Sequence, residues 1–439
     1  MLQNAFGGLQ GIVDHVMVGN FVGYTANAAI GVSWQIFLVV MVFVSSLFMG
    51  MGVLVARFAG ADEPEKVNRT VAQAIITAAA LSVLILAPIG WFAAPSLLEL
   101  VNAEPAVRAE ALPFLRIMFV ASMGMMIFFM LGGALRAAGD ARTPLRLGIA
   151  LTLINIALNV VLIPGWGPVP RLGTAGAAIG TNLAGTLVSG YAIYRLWKGG
   201  WVISVRHTSW RPDWSIIRAL FRFGLPTGVQ GVAMNIAGVL LLRFIGSLDQ
   251  SAEAQAAYAV GYTELFSMIT WTSVGLMGAS AAFAGQNLGA GHPERAVEGV
   301  RVGTRIGLGV AILVAAMFLT IPRLLLGVFG MSDPVVVDIG QQLLTFLSVS
   351  GLFISVALVH TGGLQGTGDT RGPLYISIVS QIVIPLGICA TLQAMRGLQP
   401  ADIWSAILVG HATRCLLSIL RFRQGKWRHI RVEIEPART

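Results

Sequence analysis

Charged residues are scarce in this 439-residue chain. Asp, Glu, Lys and Arg make up 11% of it and hydrophobic residues 56%, whereas a soluble domain carries about 25% charged residues. The polar surface is too small to cover a soluble globule of this size, which excludes soluble, disordered and coiled-coil classes. What remains is a membrane protein with many spans.

Cysteine is nearly absent. Cys389 and Cys415 both lie in apolar runs without Cys-x-x-Cys spacing, so the sequence suggests neither a disulfide framework nor a zinc site. Also missing are His-Glu-x-x-His, Gly-x-Ser-x-Gly, the ATP-binding Gly-x-x-x-x-Gly-Lys-Ser/Thr motif and any repeated filter-like segment. We therefore predict no enzyme, no cofactor and no ion channel.

Long apolar segments fill most of the chain. A spanning helix needs about 20 mostly apolar residues. We predict twelve spans, at 1–20, 26–57, 68–95, 107–135, 143–164, 173–197, 218–246, 254–286, 296–322, 335–364, 373–395 and 401–421. With both termini in the cytoplasm, most of the 29 Lys and Arg residues fall in cytoplasmic connections, as membrane orientation requires. The net charge of +9 therefore indicates a multi-pass protein of the cytoplasmic (inner) membrane, with no nucleic-acid partner.

Two short motifs recur at one spacing. An offset of 229 positions aligns Gly60 with Gly289 and Gly139 with Gly368, each within a matching turn sequence. The repeat predicts a duplicated six-helix unit, and an even helix number makes the two copies parallel. We predict an N-terminal lobe at 1–200, a cytoplasmic linker at 201–217, a C-terminal lobe at 218–422 and a basic cytoplasmic tail at 423–439. Met1 aligns with Gln230, so helix 1 is expected to be truncated at its start.

Only two acidic residues are placed well inside predicted spans. Asp14 lies roughly 7 Å and Glu264 roughly 15 Å from the outer helix ends, at 1.5 Å per residue. A buried charge is costly in hydrocarbon, so each is a functional candidate; the alternative is a structural ion pair with a neighbouring helix. Desolvation raises a carboxyl pKa, which makes Asp14 a candidate proton acceptor.

Several neutral polar residues share these spans. Asn155 and Asn159 are four residues apart and lie on one helix face, where they either bind a carboxylate or cation or join helices. Gln35, Gln230 and Asn235 are candidates to line a polar substrate cavity, with helix packing as the alternative. In helix 12 His411 and Arg414 share a face, and we expect Arg414 to extend towards the headgroups.

The sequence resembles the multidrug and toxic compound extrusion (MATE) family. The residues that carry the resemblance are Val13–Gly19, Phe223–Pro226, Gly285–Gly291 and the Gly-Asp-x-Arg-x-Pro-Leu turns at 139–145 and 368–374. It covers essentially the whole chain. The resemblance implies a V-shaped bundle of two six-helix lobes that exports organic, often cationic, compounds in exchange for protons or sodium.

The resemblance also implies roles for single residues. Asp14 matches the helix-1 aspartate used for cation coupling, with Asn155 and Asn159 beside it, and Glu264 matches an acidic position of helix 8 that contacts substrate or takes part in coupling. The sodium-type NorM branch has acids in helix 7 and in the middle of helix 10, where this sequence has none. We therefore expect proton coupling, closer to the DinF-like branch, in a monomer. The alternative is a flippase for a lipid-linked or other endogenous substrate.

Overall fold

The computed structural model describes residues 17–19, 21–101, 104–167 and 170–432. Within these ranges the regular structure is entirely helical. The chain divides into two compact units, one of Met1–Gly228 with Glu433–Thr439 and the other of Val229–Val432. The division falls inside a long helix, a little after the linker predicted at 201–217.

From Tyr24 onwards, the described residues of the first unit form six long helices and the start of a seventh. They are α1 (Tyr24–Gly60), α2 (Pro64–Leu100), α3 (Pro105–Val120), α4 (Met123–Ala137), α5 (Arg142–Leu162), α6 (Gly173–Lys198) and the beginning of α7 (Trp214–Ile245). Proline occupies the first turn of α2 and α3, where its missing N–H has no helical partner in any case. The core of this unit is aliphatic and aromatic and includes the fully buried Phe119.

The second unit contains the rest of α7 and five further long helices. These are α8 (Ser251–Gly289), α9 (Pro293–Thr320), α10 (Pro334–Gly366), α11 (Arg371–Arg396) and α12 (Pro400–Arg423). A short helix, Pro322–Val328, precedes α10. The central helix is α10, which packs against α8, α9 and α12 and buries an almost continuous surface from Val336 to Gly366.

The helices coincide with predicted spans 2–12. In the described ranges eight helices are long and apolar enough to cross a membrane, and a ninth span is the α3–α4 pair, bent by 53°. Two further predicted spans, 26–57 and 173–197, coincide with α1 and α6, and the bounds differ by only a few residues. The span predicted at 1–20 lies outside the described residues except for 17–19. The prediction of an all-helical, multi-span protein is confirmed.

The repeat is visible in the backbone. Asp62 and Gly291, which the offset aligns, both have positive φ, 56° and 76°, in the turns before α2 and α9. Gly139 and Gly368 form the second aligned pair, with φ of 96° and 102°. Glycine adopts positive φ values most readily. In the first repeat Asp62 adopts a positive φ at the position where the second repeat has Gly291.

The bend between α3 and α4 gave no signal in the sequence. Helix α3 ends at Val120 and α4 begins at Met123, and Ser122 lies at the break. The Ser122 hydroxyl shares a 2.8 Å hydrogen bond with the hydroxyl of Ser82, where α2 changes to a π-helical turn over Ser82–Leu86. The predicted span 107–135 is therefore two helices that meet beside an irregular turn of α2.

The connection between α6 and α7 is fixed to α2. The Gln73 amide donates to the Arg211 carbonyl (2.7 Å) and accepts from the Asp213 N–H (2.9 Å). Arg69 forms an ion pair with Asp213, and Val205 is fully buried. The segment predicted as a cytoplasmic linker is thus part of the first unit.

The Asp213 carboxylate should make the stability of this connection sensitive to acid. Burial raises its pKa, but hydrogen bonds from Ser215 and Arg69 and the Arg69 charge outweigh burial, so the pKa of Asp213 is lowered. Its stabilisation is present above the ordinary pKa of about 3.9 and is lost as pH falls through the lowered value. We expect Asp213→Asn to lower the detergent melting temperature at pH 7 and to reduce the further loss on acidification below about pH 4.

The matched control is Asp249→Asn, an exposed acid in another connection. It should melt like the unmodified protein at both pH values. An Asp213→Asn variant with unchanged stability at pH 7 would show that the ion pair does not hold the connection.

Candidate functional site

A buried polar cluster lies between α5 and α6 in the first unit. Asn155 and Asn159 are fully buried, and Thr181 is 2% exposed. The Asn155 amide donates to the Thr181 hydroxyl (3.1 Å), and the Asn159 amide donates to the Asn155 side-chain oxygen (3.4 Å). The spacing of four residues places both amides on one face of α5, as predicted, and the structure shows that this face meets α6.

Gly180 makes room for this cluster. A methyl group on Gly180 would overlap the side-chain oxygen of Asn159. The close approach of α6 lets the Asn159 amide sit inside the helix interface instead of at its edge. Gly180 was not predicted from the sequence. Its neighbours in α6 do not show that it contacts Asn159 of α5.

We expect Gly180→Ala to disturb this cluster. The added methyl group must displace Asn159 or separate the two helices, at a cost of about 1–3 kcal/mol. The measurement is thermal unfolding in detergent alongside transport in vesicles, with Gly190→Ala in the same helix as control, because a methyl group there meets open space. Equal stability and transport in the two variants would contradict the role given to Gly180.

The acid predicted to act with this cluster is Asp14, which lies outside the described residues. Its role in cation coupling therefore stays a prediction. The residues of the cluster that the structure describes, Asn155, Asn159 and Thr181, are uncharged.

Gln230 belongs to a different cluster, in the second unit. It is 7% exposed. Its amide donates to the Ser377 hydroxyl (2.8 Å), and its side-chain oxygen accepts from the Gln365 amide (3.4 Å). Gln230 thus joins α7 to α10 and α11, a position inside the helix packing.

The other predicted substrate-contact residues are exposed in the structure. Glu264 and Asn235 are exposed on α8 and α7 of the second unit, and Gln35 is exposed on α1 of the first. Glu264 lies in a π-helical turn of α8, Ala259–Leu265, and makes no ion pair within the described part of the chain. A π-helical turn inside an α-helix often marks a functional position.

Arg414 does not extend to the headgroups, so that prediction is wrong. It is 6% exposed and His411 is 2% exposed, in the middle of α12. The ring of His411 stacks on Phe266 of α8 at 5.8 Å. The packing of α8 and α10 over this face of α12 encloses both side chains, which a single helix sequence does not reveal.

Comparison with known proteins identifies the family. The MatE family model matches residues 1–161 and residues 226–391, which together make up most of the chain. The chain belongs to the MATE family. The two matched stretches correspond to the two copies of the repeat, and the chain is accordingly a multi-pass membrane transporter and not an enzyme.

Relatives and solved structures agree with MATE membership. The chain is 26% identical over 427 residues to a probable multidrug resistance protein NorM of Thermotoga maritima, covering 97% of this chain and 90% of the relative. It is 25% identical over 424 residues to multidrug resistance protein MdtK of Pectobacterium atrosepticum, covering 94% and 90%. Among solved structures, the outward-facing conformation of a multidrug resistance MATE family transporter matches with a TM-score of 0.84 at 20% identity, covering 97% of this chain and 93% of that one.

The structural match confirms the predicted fold class. A MATE structure in the bent conformation matches with a TM-score of 0.86 at 20% identity, covering 97% of this chain and 92% of that one. The MATE fold has twelve transmembrane helices in two six-helix repeats, of which the described residues supply the helices of spans 2–12. At this identity the likeness shows the fold alone.

Proposed function

We propose that this MATE transporter is a secondary antiporter that exports organic, often cationic, compounds in exchange for protons. The observation that carries the proposal is the buried, neutral Asn155–Asn159–Thr181 cluster. The names of the relatives, multidrug resistance proteins, support drug-like small molecules as substrates. We also propose that export is coupled to protons and that the chain is closer to the DinF-like branch than to the NorM branch.

The chemistry of the cluster favours a proton over sodium. The amides of Asn155 and Asn159 hydrogen-bond a carboxyl group whether it is protonated or ionised, and they bring no charge of their own. With Asp14 as the one acid predicted beside them, the proposed site has one carboxyl group, and desolvation of that group would favour its protonated form. A sodium site gains from more than one negatively charged ligand, which this cluster does not supply.

In the proposed cycle a single group, the Asp14 carboxyl, gains and loses a proton. Asp14 takes up a proton from the outer side, helix 1 repacks against the asparagines, and the substrate leaves outward. Release of the proton to the cytoplasm resets the transporter. We propose that Glu264 and Asn235 contact the substrate in the second unit, where Gln230 lies in the interior, and that Gln35 contacts it in the first unit. The protein acts as a monomer in the cytoplasmic membrane with both termini inside.

Everted membrane vesicles test the function. Uptake of a cationic dye would be followed under an imposed pH gradient, with and without sodium. We expect uptake that needs the pH gradient and is the same at either sodium concentration. Uptake that requires sodium would contradict proton coupling, and absence of uptake for a panel of cationic dyes would contradict drug export.

We expect Glu264→Gln to weaken transport of cations selectively. The charge pair between the exposed carboxylate and a cationic substrate is worth about 0.2–1 kcal/mol, so KM for a cationic dye should rise by about 1.4- to fivefold. KM for a neutral substrate should stay unchanged. The control is Glu253→Gln, in the first turn of the same helix, which should alter neither value; equal effects on cationic and neutral substrates would contradict the role of the Glu264 charge.

A further inference from the structure

Arg414 is a buried cation that has no buried counter-charge within the described part of the chain. It lies about 21 Å along α12 from Pro400, at 1.5 Å per residue, and is 6% exposed. It forms no ion pair in the described residues. The groups that interact with it electrostatically are Tyr262 and His411. Neither carries a negative charge to balance the guanidinium.

Polar atoms along this face of α12 lack hydrogen-bond partners among the residues that the structure describes. They are Nε of Arg414, Nδ1 of His411 and the hydroxyl of Ser418. The three residues stand at i, i+3 and i+7, so they share one face of the helix. A guanidinium N–H can only donate, and a buried donor without an acceptor is destabilising. A hydrogen-bond acceptor beside Arg414 would therefore be stabilising, and an anionic acceptor would also balance the charge of the guanidinium.

Stacked aromatic side chains of α8 lie beside this face of α12. Tyr258 and Tyr262 of α8 stack at 4.9 Å, Tyr262 and Phe266 at 5.4 Å, and Phe266 stacks on His411. Next to Arg414 on α12, at a spacing of four residues, Gly410 approaches the Ser380 carbonyl of α11 so closely that a methyl group would meet it at 2.6 Å. The polar face is thus bounded by packed elements of the second unit.

We propose that the second unit binds a small monovalent anion at Arg414, with Tyr262, His411 and Ser418 around it. The anion supplies both the missing charge and the missing acceptor. A carboxylate suits the site because a guanidinium pairs with both of its oxygens, and chloride offers the same charge. The source is either the carboxylate of a transported molecule or chloride from the medium. This goes beyond the proposed export of cations and does not depend on the coupling ion.

Purified wild-type protein in detergent tests the site directly. Binding of radiolabelled chloride and, in parallel, of radiolabelled acetate would be measured by equilibrium dialysis, with sodium acetate, sodium benzoate and sodium gluconate as competitors of chloride at constant ionic strength. We expect saturable chloride binding with one site per chain. Displacement by acetate and benzoate would assign the site to carboxylates as well, whereas displacement by neither would assign it to chloride. Absence of saturable binding of chloride and of competing carboxylates would overturn the proposal.

Variants locate the binding. Arg414→Met keeps the length of the side chain and removes the charge, so chloride binding and the stabilisation of about 2–5 °C expected from a saturating ligand should both disappear. Arg414→Lys keeps the charge and should retain weakened binding, which guards against a folding defect in the first variant. The control is Arg243→Gln, an exposed arginine of α7, which should bind chloride like wild type. Full binding by folded Arg414→Met would overturn the assignment to Arg414.

Discussion

We expect Asp14→Asn to reduce dye uptake driven by a pH gradient to the rate of vesicles without the transporter. Asparagine keeps the size and hydrogen bonding of the side chain but cannot release a proton. If Asp14 is the group that carries the proton, the change removes the coupled step itself, so no increase in the gradient restores uptake. The loss should therefore be complete at every gradient applied.

Binding separates coupling from folding in this variant. Asp14→Asn resembles the protonated state, so the purified variant should still bind substrate, and its binding should no longer change with pH. The matched control is Asp338→Asn, an exposed acid in the second turn of α10, which should transport normally. An Asp14→Asn protein that transports at the wild-type rate would refute the coupling role.

Gly366→Ala should be among the most destabilising single changes in the second unit. Gly362 and Gly366 of α10 form a small-xxx-small pair facing α8, and a methyl group on either one would overlap a backbone carbonyl, of Met277 or of Ala281. Helices in a bilayer associate largely through such close backbone contact. Because a backbone atom cannot rotate away, the two helices must separate over several turns.

The expected cost is about 3 kcal/mol or more, at the upper end of overpacking penalties. It would be measured as the loss of melting temperature and of monodisperse protein in detergent. Gly278→Ala is the control, because it lies on α8 beside Met277 and its added methyl group meets open space; it should be neutral or stabilising by up to about 1 kcal/mol. Wild-type stability of Gly366→Ala would show that α8 and α10 are not held by this contact.

The periodic features of the fold could be predicted from the sequence. Long apolar runs mark spans whatever their neighbours are, so the bounds of α8 and α12 were predicted within a few residues. The repeat was readable because turn residues have local requirements, and the positive φ of Gly139 and Gly368 shows why that motif recurs. The shared face of Asn155 and Asn159 followed from helix geometry alone.

Features that depend on contacts between distant helices could not be predicted in this way. The burial of Arg414 results from α8 and α10 packing over α12, and the sequence of α12 alone favours extension to the headgroups. Gln230 was assigned to a cavity, but Ser377 and Gln365 engage both ends of its amide. The need for glycine at position 180 arises from Asn159 on another helix.

Proton-coupled antiport requires substrate and proton to move in opposite directions on this protein. The most direct test uses sodium-free proteoliposomes with a pH-sensitive dye inside and no imposed pH gradient. A substrate gradient alone should then drive protons against the direction of substrate flow, and a protonophore should abolish the pH change. Substrate movement that leaves the internal pH unchanged, or that proceeds only when sodium is supplied, would contradict the account.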